Sequence, residues 1–371
     1  MSLIWKGDFA GLPGKVVLAN PMVCANTAKG DNKLYSDAKG VVPSLDLRFA
    51  SQKNLNDYMT GQQLIQFSRP VGANQSPGTY VDENGIIQLS SADQPRFDHD
   101  PTTGESLGLL VEVSRTNILL NSATLSTQSV TTSATAYTLS FYGTGTITLS
   151  GTSTAGPLTG TGANDRVTLT FTPTAGTLTL TVTGTVSNAQ LETGSFPTSY
   201  IPTTGTALTR SADVASITGT KFSSWYSQSE GTVFADAFNR VIYDGTNIFP
   251  YILQFDDGSN AERISFDHSA LSLGYRGFFV VRDNNVDSAA VTAIYPASSG
   301  FLKMAGAYAL NSFAASANGN PANTDNSGTL PTVNRLQIGK GLGQQYVGTI
   351  SRLTYFPDRL PDTTLQAITA T

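Results

Sequence analysis

The chain has 371 residues, of which only 13% are charged, and a formal net charge of −5 at neutral pH. That charged share is about half of the roughly 25% usual for a globular domain, and no run of Lys or Arg offers a phosphate backbone a docking stripe, which sets nucleic-acid binding aside. One cysteine, Cys24, makes no intrachain disulfide, and no stretch of about 20 apolar residues offers a membrane span. The opening MSLIWKGDFAGLPGKVVLANP lacks the continuous apolar run of a signal peptide. Cys24 itself reads as a small buried hydrophobe. The 35 glycines and the abundance of Ser, Thr and Asn suit an all-β protein of short strands and polar turns, because Gly and Thr are poor helix formers.

Residues 1–45 are irregular and read as an arm that orders against another surface. Residues 46–120 form a hairpin-rich region, with the short runs LDLRFA, LIQFSRP, TYVDENGIIQLS, QPRFDHD and SLGLLVEV. DENG at 82–85 reads as a hairpin turn, since Asn-Gly supplies the positive φ angles such turns need. The one crowd of charges is Arg96, Asp98, His99, Asp100, Glu105, Glu112 and Arg115. It falls on a second hairpin, with DPTTGE as the turn and Pro101 and Gly104 as its punctuation. Alternation puts Leu107, Leu109, Val111 and Val113 on one face of the returning strand. The charges are therefore expected on a hairpin tip and a solvent face, with Arg96 and Arg115 pairing to nearby acids.

Residues 121–217 are rich in Thr, Ser and Gly and contain four alternating runs: YTLSFYG, TITLSG, RVTLTFTP and TLTLTVTG. Val167, Leu169 and Phe171, then Leu178, Leu180 and Val182, make one apolar face each, while Thr fills the other. This is the patterning of a jelly-roll-like β-sandwich. SFPTSYIPTTGTALTRSADV at 195–214 closes the block as a linker on a surface. Residues 218–371 supply a further series of strands and end in a short helix, LPDTTLQAIT, with Asp362 as its N-cap.

LDLRFA, then TYVDENGIIQLSSADQPRFDHDPTTGESLGLLVEVSRTNILLNS, then AQLETGSFPTSYIPTTGTALTRSADV, resemble bacteriophage head-spike, head-fibre and tail-fibre proteins that carry carbohydrate-binding-type domains. The resemblance covers roughly residues 44–121 and 188–217. The C-terminal series, with its ending GTISRLTYFPDRLPDTTLQAIT, is similar to concanavalin-like and laminin-G-like sandwiches. These resemblances imply a homotrimer on the virion surface, assembled in the host cytoplasm. Residues 1–45 would hold it to other virion proteins, and host surface polysaccharide or lipopolysaccharide would be its target in adsorption. A decoration or connector protein that binds no glycan is the alternative, and a glycan-degrading enzyme is a second.

Catalytic motifs are scarce. There is no HExxH, and His99 and His268 are the two histidines, short of a zinc set. No GxSxG elbow accompanies them. The Glu-x-Asp-x-x-Glu signature of hydrolytic sandwiches, which would supply two flanking carboxylates, is missing too, so no enzyme is expected. DHDPTTGE opens like a calcium loop, but its glycine comes one residue late at Gly104, and Leu109 stands where the bidentate Glu belongs. Asp256, Asp257, Glu262 and Asp267 read as solvent-facing turn acids, with a calcium or sugar-binding loop as the alternative. Sugar recognition stacks an aromatic ring on the apolar face of a pyranose and rings it with polar groups. The candidate rings are Tyr243, Tyr251, Tyr275, Trp225 and Tyr226, and their candidate polar partners are Asp256, Asp257 and Asn260. For Trp225 and Tyr226, sealing the linker is the competing reading.

Overall fold

The computed structural model describes residues 33–240, 250–271, 274–295, 300–341 and 345–370. Cys24 and most of the N-terminal arm lie outside these. The chain is all-β, as its patterning predicts, with β-sandwiches built from antiparallel sheets. The larger sandwich packs an eight-stranded sheet on a seven-stranded one. The first runs in the order Asn323–Asp325, Ser312–Ala317, Phe301–Ala309, Glu230–Asn239, Gly348–Phe356, Ser106–Val111 and Phe97–His99, with Leu45–Leu47 also paired to Gly348–Phe356. The second runs Gln66–Ser68, Val214–Thr218, Arg335–Ile338, Tyr251–Asp256, Arg263–Leu271, Gly274–Asp283 and Val286–Tyr295.

Strand alternation explains both faces of the eight-stranded sheet. Val233, Ala235 and Ala237 point into the core with Leu302 and Met304, where they meet Phe266 and Phe279 of the opposite sheet. Those two rings stand edge to face at 5.7 Å. Gly306 makes room for them, because a Cβ there would lie 2.5 Å from Phe279 and 2.7 Å from Phe266. On the outer face, Phe234, Ala305, Ala307, Ala314 and Phe356 take the buried side of two helices, Lys33–Asp37 and Asp362–Thr369, through Leu34, Ala38, Leu365 and Ile368. The small alanines let the helices approach closely. Asp362 is not the N-cap: Pro361 occupies that position and its carbonyl accepts from the Thr364 and Leu365 amides, while Asp362 pairs with Arg359 at 2.7 Å.

Residues 46–120 do not stand apart. Their strands complete both sheets of the larger sandwich, so Leu109, Leu110 and Val111 are all buried where the sequence suggested a single apolar face. The DENG hairpin forms, pairing Thr79–Val81 with Ile87–Leu89, but only Gly85 takes a positive φ, at 75°, and Asn84 does not. The four alternating runs also form. Tyr137–Gly143 lies between Gly162–Phe171 and Val186–Thr193, facing a sheet ordered Leu158–Thr159, Thr146–Gly151, Gly176–Thr183 and Gln128–Thr132. Leu139, Phe141, Leu149, Leu178, Leu180 and Leu191 fill the space between. This threonine sandwich is an insertion. The chain leaves the rest of the molecule on Arg115–Asn117 and returns on Leu208–Arg210, and those two strands pair with each other.

The charges of the second hairpin divide: Glu105 is exposed and Asp100 half-buried at the tip, as expected, and Arg115 lies 3.8 Å from Glu192, whereas Arg96, Asp98, His99 and Glu112 are buried. Asp213 accepts from Arg69 at 2.8 Å and from Arg96 at 2.7 Å; Arg96 also meets Glu112 at 2.8 Å, and Arg210 lies 3.6 Å from Glu112. All five side chains are fully enclosed. The backbone N–H and hydroxyl of Ser199 donate to the two oxygens of Glu112. Burial alone would raise the Glu112 carboxyl; Arg210 and Arg96 reverse that and hold it well below the usual range. Asp98 pairs with Arg240, and the carbonyl of Val81 accepts from Nδ1 of His99. Asp100 bonds the Thr102 and Thr103 amides within the turn. Period-2 reasoning supposes one wet face along the whole hairpin; here three parts of the chain converge over its strands and leave only the tip exposed. The same convergence buries Thr198, Ser199, Tyr200, Arg210 and Asp213 of the segment that read as a surface linker.

Candidate functional site

The sequence candidates do not form one site. Trp225 is buried, and it sits with Tyr226 in an aromatic cluster with Phe222, Phe255 and Tyr355, ring centroids 4.6–6.2 Å apart. Both therefore seal the core under the segment that leads into the larger sandwich, and neither ring is presented to a ligand. Asp256 is fully buried and saturated: Arg335, Gln337, Gln254 and the Gly258 amide all donate to it. Asp257 and Asn260 are exposed in the following turn, where Asp257 bonds the Ser259 amide and Asn260 accepts from Arg263. Tyr251 is half-buried at the far end of the same strand, roughly 17 Å from Asp256 at about 3.3 Å per residue. A single sugar ring cannot span that gap. Asp267 is buried as well, so of the four acids read as solvent-facing only Asp257 is exposed in a turn, while Glu262 is half-buried and accepts from the Asn284 amide. Tyr243 and the side chains of Tyr275 and His268 lie outside the described residues. Among the described residues, no three His, Cys, Asp or Glu side chains gather as a metal site.

A different group of residues does converge, on the outer face of the eight-stranded sheet. At the edge of the helix layer, walled in part by its Asp37 and Ile368, lies a cavity of about 280 Å³ that Arg48, Asp236, Lys303 and Arg352 also line. Asp236 and Lys303 are register partners on neighbouring strands, with their charged atoms 3.8 Å apart. Burial raises the Asp236 carboxyl above its ordinary range, against the pull of Lys303 and Arg352. Two residues further along both strands, roughly 7 Å away on the same face, Phe238 pairs with Phe301. Their ring centroids are 4.6 Å apart, and Phe301 is 51% exposed.

The floor of the cavity is held by a buried anchor. Asp46 accepts from Nε and Nη2 of Arg352, both at 2.8 Å, from Nε of Arg48 at 2.6 Å and from the Tyr35 hydroxyl at 2.6 Å. Burial pushes the Asp46 carboxyl up, but Arg352 and Arg48 outweigh it and hold the group ionised below its ordinary range. Arg48 also lies 3.6 Å from the centre of the Tyr58 ring. Both guanidiniums are buried against Asp46 and brace the floor, and the charged side chains left accessible above it include those of Asp236 and Lys303. An apolar platform beside donors and acceptors is the chemistry that an amphipathic sugar ring requires. The signal was present in the sequence as Phe-x-Asp-x-Phe in one run and Phe-x-Lys in another. It becomes visible only when the register sets Phe238 against Phe301 and Asp236 against Lys303.

No protein-family model matches the chain, and no curated protein matches it in sequence. Solved structures are similar over part of its length. The CBM40 domain of the Ruminococcus gnavus IT-sialidase, bound to α2,3-sialyllactose, is 16% identical, with 39% of this chain and 84% of that one covered and a TM-score of 0.31. The binding domain of botulinum neurotoxin DC in complex with SialylT is 10% identical over 43% of this chain and 39% of its own, with a TM-score of 0.32. Trypanosoma rangeli sialidase in complex with the inhibitor DANA is 11% identical over 43% and 26%, with a TM-score of 0.30.

Proposed function

We propose that the chain is a non-catalytic bacteriophage virion surface protein whose larger sandwich holds host-cell glycans on the outer face of its eight-stranded sheet. The observation that carries the glycan reading is the exposed Phe238–Phe301 pair beside the Asp236–Lys303 cavity. The virion reading rests on the wording of residues 44–121 and 188–217. Arg96, Glu112 and Arg210, which belong to that wording, form the buried ionic junction with Asp213, so in this chain these residues serve the scaffold.

The test is adsorption of the fluorescently labelled full-length protein to host cells, beside a Phe301→Ala variant. Phe301 is largely exposed, so the variant keeps its fold; adsorption is expected to drop about tenfold or more, since an aromatic contact and its buried area are lost. Unchanged adsorption would exclude this face. A wild-type protein that ignores every host cell would favour the purely structural alternative, and release of reducing ends from host polysaccharide would overturn the non-catalytic reading. Sedimentation at micromolar concentration tests the homotrimer.

A further inference from the structure

We infer a second glycan site, at the seam between the threonine sandwich and the hairpin of Phe97–His99 and Ser106–Val111, that takes a neutral hexose unit through vicinal hydroxyls. Gly162–Phe171 is an edge strand of its three-stranded sheet. It pairs with Tyr137–Gly143 at Phe141↔Val167 and again at Gly143↔Gly162. Between those points, residues 163–166 stand opposite Tyr142 alone. Bulges re-aim side chains and are enriched beside functional sites, and this one is larger than the usual single extra residue. It brings Asn164 and Asp165 to one wall of a cavity of about 720 Å³, with Pro101 and Thr102 of the hairpin tip on the lining as well. Tyr142 and Arg166 complete the set. The volume is in the range of small-molecule sites.

The polar groups define the ligand. Arg166 lines the cavity but spends its terminal nitrogens inward, donating to the Thr198 carbonyl at 2.6 Å and to the Ser140 hydroxyl at 2.8 Å. Its guanidinium carbon lies 6.0 Å from the centre of the Tyr142 ring and braces it. Asp165 is exposed, and one of its oxygens accepts from the Thr161 hydroxyl at 2.5 Å, which fixes the carboxylate. An oriented carboxylate accepts from two adjacent hydroxyls and repels an anion. The exposed Asn164 amide adds a donor and an acceptor, and the half-buried Tyr142 ring gives the apolar face. A neutral hexose matches all three; a sugar acid meets Asp165 with like charge.

This inference rests on the glycan reading above, but its residues are separate from that site, so the two can fail independently. The experiment is saturation-transfer NMR on the full-length chain with methyl α-mannoside, methyl β-galactoside and methyl α-glucoside as neutral probes and glucuronic acid as the anionic one. At least one neutral hexoside should bind, and Asp165→Asn and Asn164→Ala should each weaken it about tenfold, while Phe301→Ala leaves that binding unchanged. Glucuronic acid should bind more weakly than the hexoside, and the gap should close in Asp165→Asn. The site is refuted if no neutral hexoside binds, if both seam variants bind like wild type, or if glucuronic acid binds wild type more tightly. Loss of hexoside binding in Phe301→Ala alone would refute the seam and leave the outer-face reading standing.

Discussion

Asp267 is buried on the strand Arg263–Leu271, opposite Tyr251 in register, and its Oδ1 has no hydrogen-bond partner. Burial pushes its carboxyl up to about 7, with Ser265, Arg263 and Arg282 opposing the rise and Asp287 adding to it. The sign of the consequence follows directly. An unfolded Asp titrates near 3.9, so between about pH 4 and 7 the folded chain binds a proton that the unfolded chain has released. Stability contributed by this group is complete below about pH 4 and falls as pH rises to 7, by at most ~1.4 kcal/mol per unit. Asp267→Asn keeps the shape and removes the titration. From pH 4 to 7 denaturant midpoints should therefore fall less, or rise more, in the variant than in wild type; parallel slopes would refute the assignment. Alternation in ERISFDH marks the strand but gives no measure of burial, so the sequence left this carboxyl among turn acids. Trp225 and Tyr226 misled differently: a ring offered to a sugar and a ring sealing a core look alike until the neighbours Phe222, Phe255 and Tyr355 are in place.

At the scale of elements, the strands were the legible part. Period-2 runs need only a covered face to be recognised, which is why YTLSFYG, TITLSG, RVTLTFTP and TLTLTVTG all appear as strands with Leu139, Leu149, Phe171 and Leu178 inward. Pairing order was not legible. Nothing local in LDLRFA or SLGLLVEV announces that both will pair with Gly348–Phe356, hundreds of residues away. The C-terminal helix was legible as a helix but not as a lid. Leu365 and Ile368 close the apolar half of the outer face over Ala305, Ala307 and Ala314, and the candidate site begins where that cover ends. Leu365 is fully buried, so Leu365→Ala should cost about 2–5 kcal/mol. Chemical denaturation measures it; a loss under 1 kcal/mol would show that the helix is not seated as described.

At the scale of the whole molecule, the ionic junction decides whether the chain behaves as one body. Arg96 and Asp213 come from the hairpin region and from the loop that precedes Val214–Thr218, and Ser199 comes from the inserted block. Removing one member strands buried charge, at about 3–5 kcal/mol. Wild type should melt in a single calorimetric transition. Asp213→Ala should lower it and separate the threonine sandwich as a distinct earlier or later peak; two peaks already present in wild type would show that the junction does not couple the parts. The paired strands Arg115–Asn117 and Leu208–Arg210 carry a further consequence. Because Asn117 and Leu208 are direct register partners, residues 118–207 can be exchanged by recombination as a single block, without re-threading the scaffold. The incoming block must still meet the scaffold where this one does: at Ser199 on Glu112 and Arg96, at the Tyr200 carbonyl that accepts from Thr79, and at the Ala189 and Ile201 carbonyls and the Leu191 amide that bond the buried Asn117 side chain. A lineage of such chains would therefore vary fastest in the strands between residues 122 and 187, and slowest at the enclosed groups on which they stand.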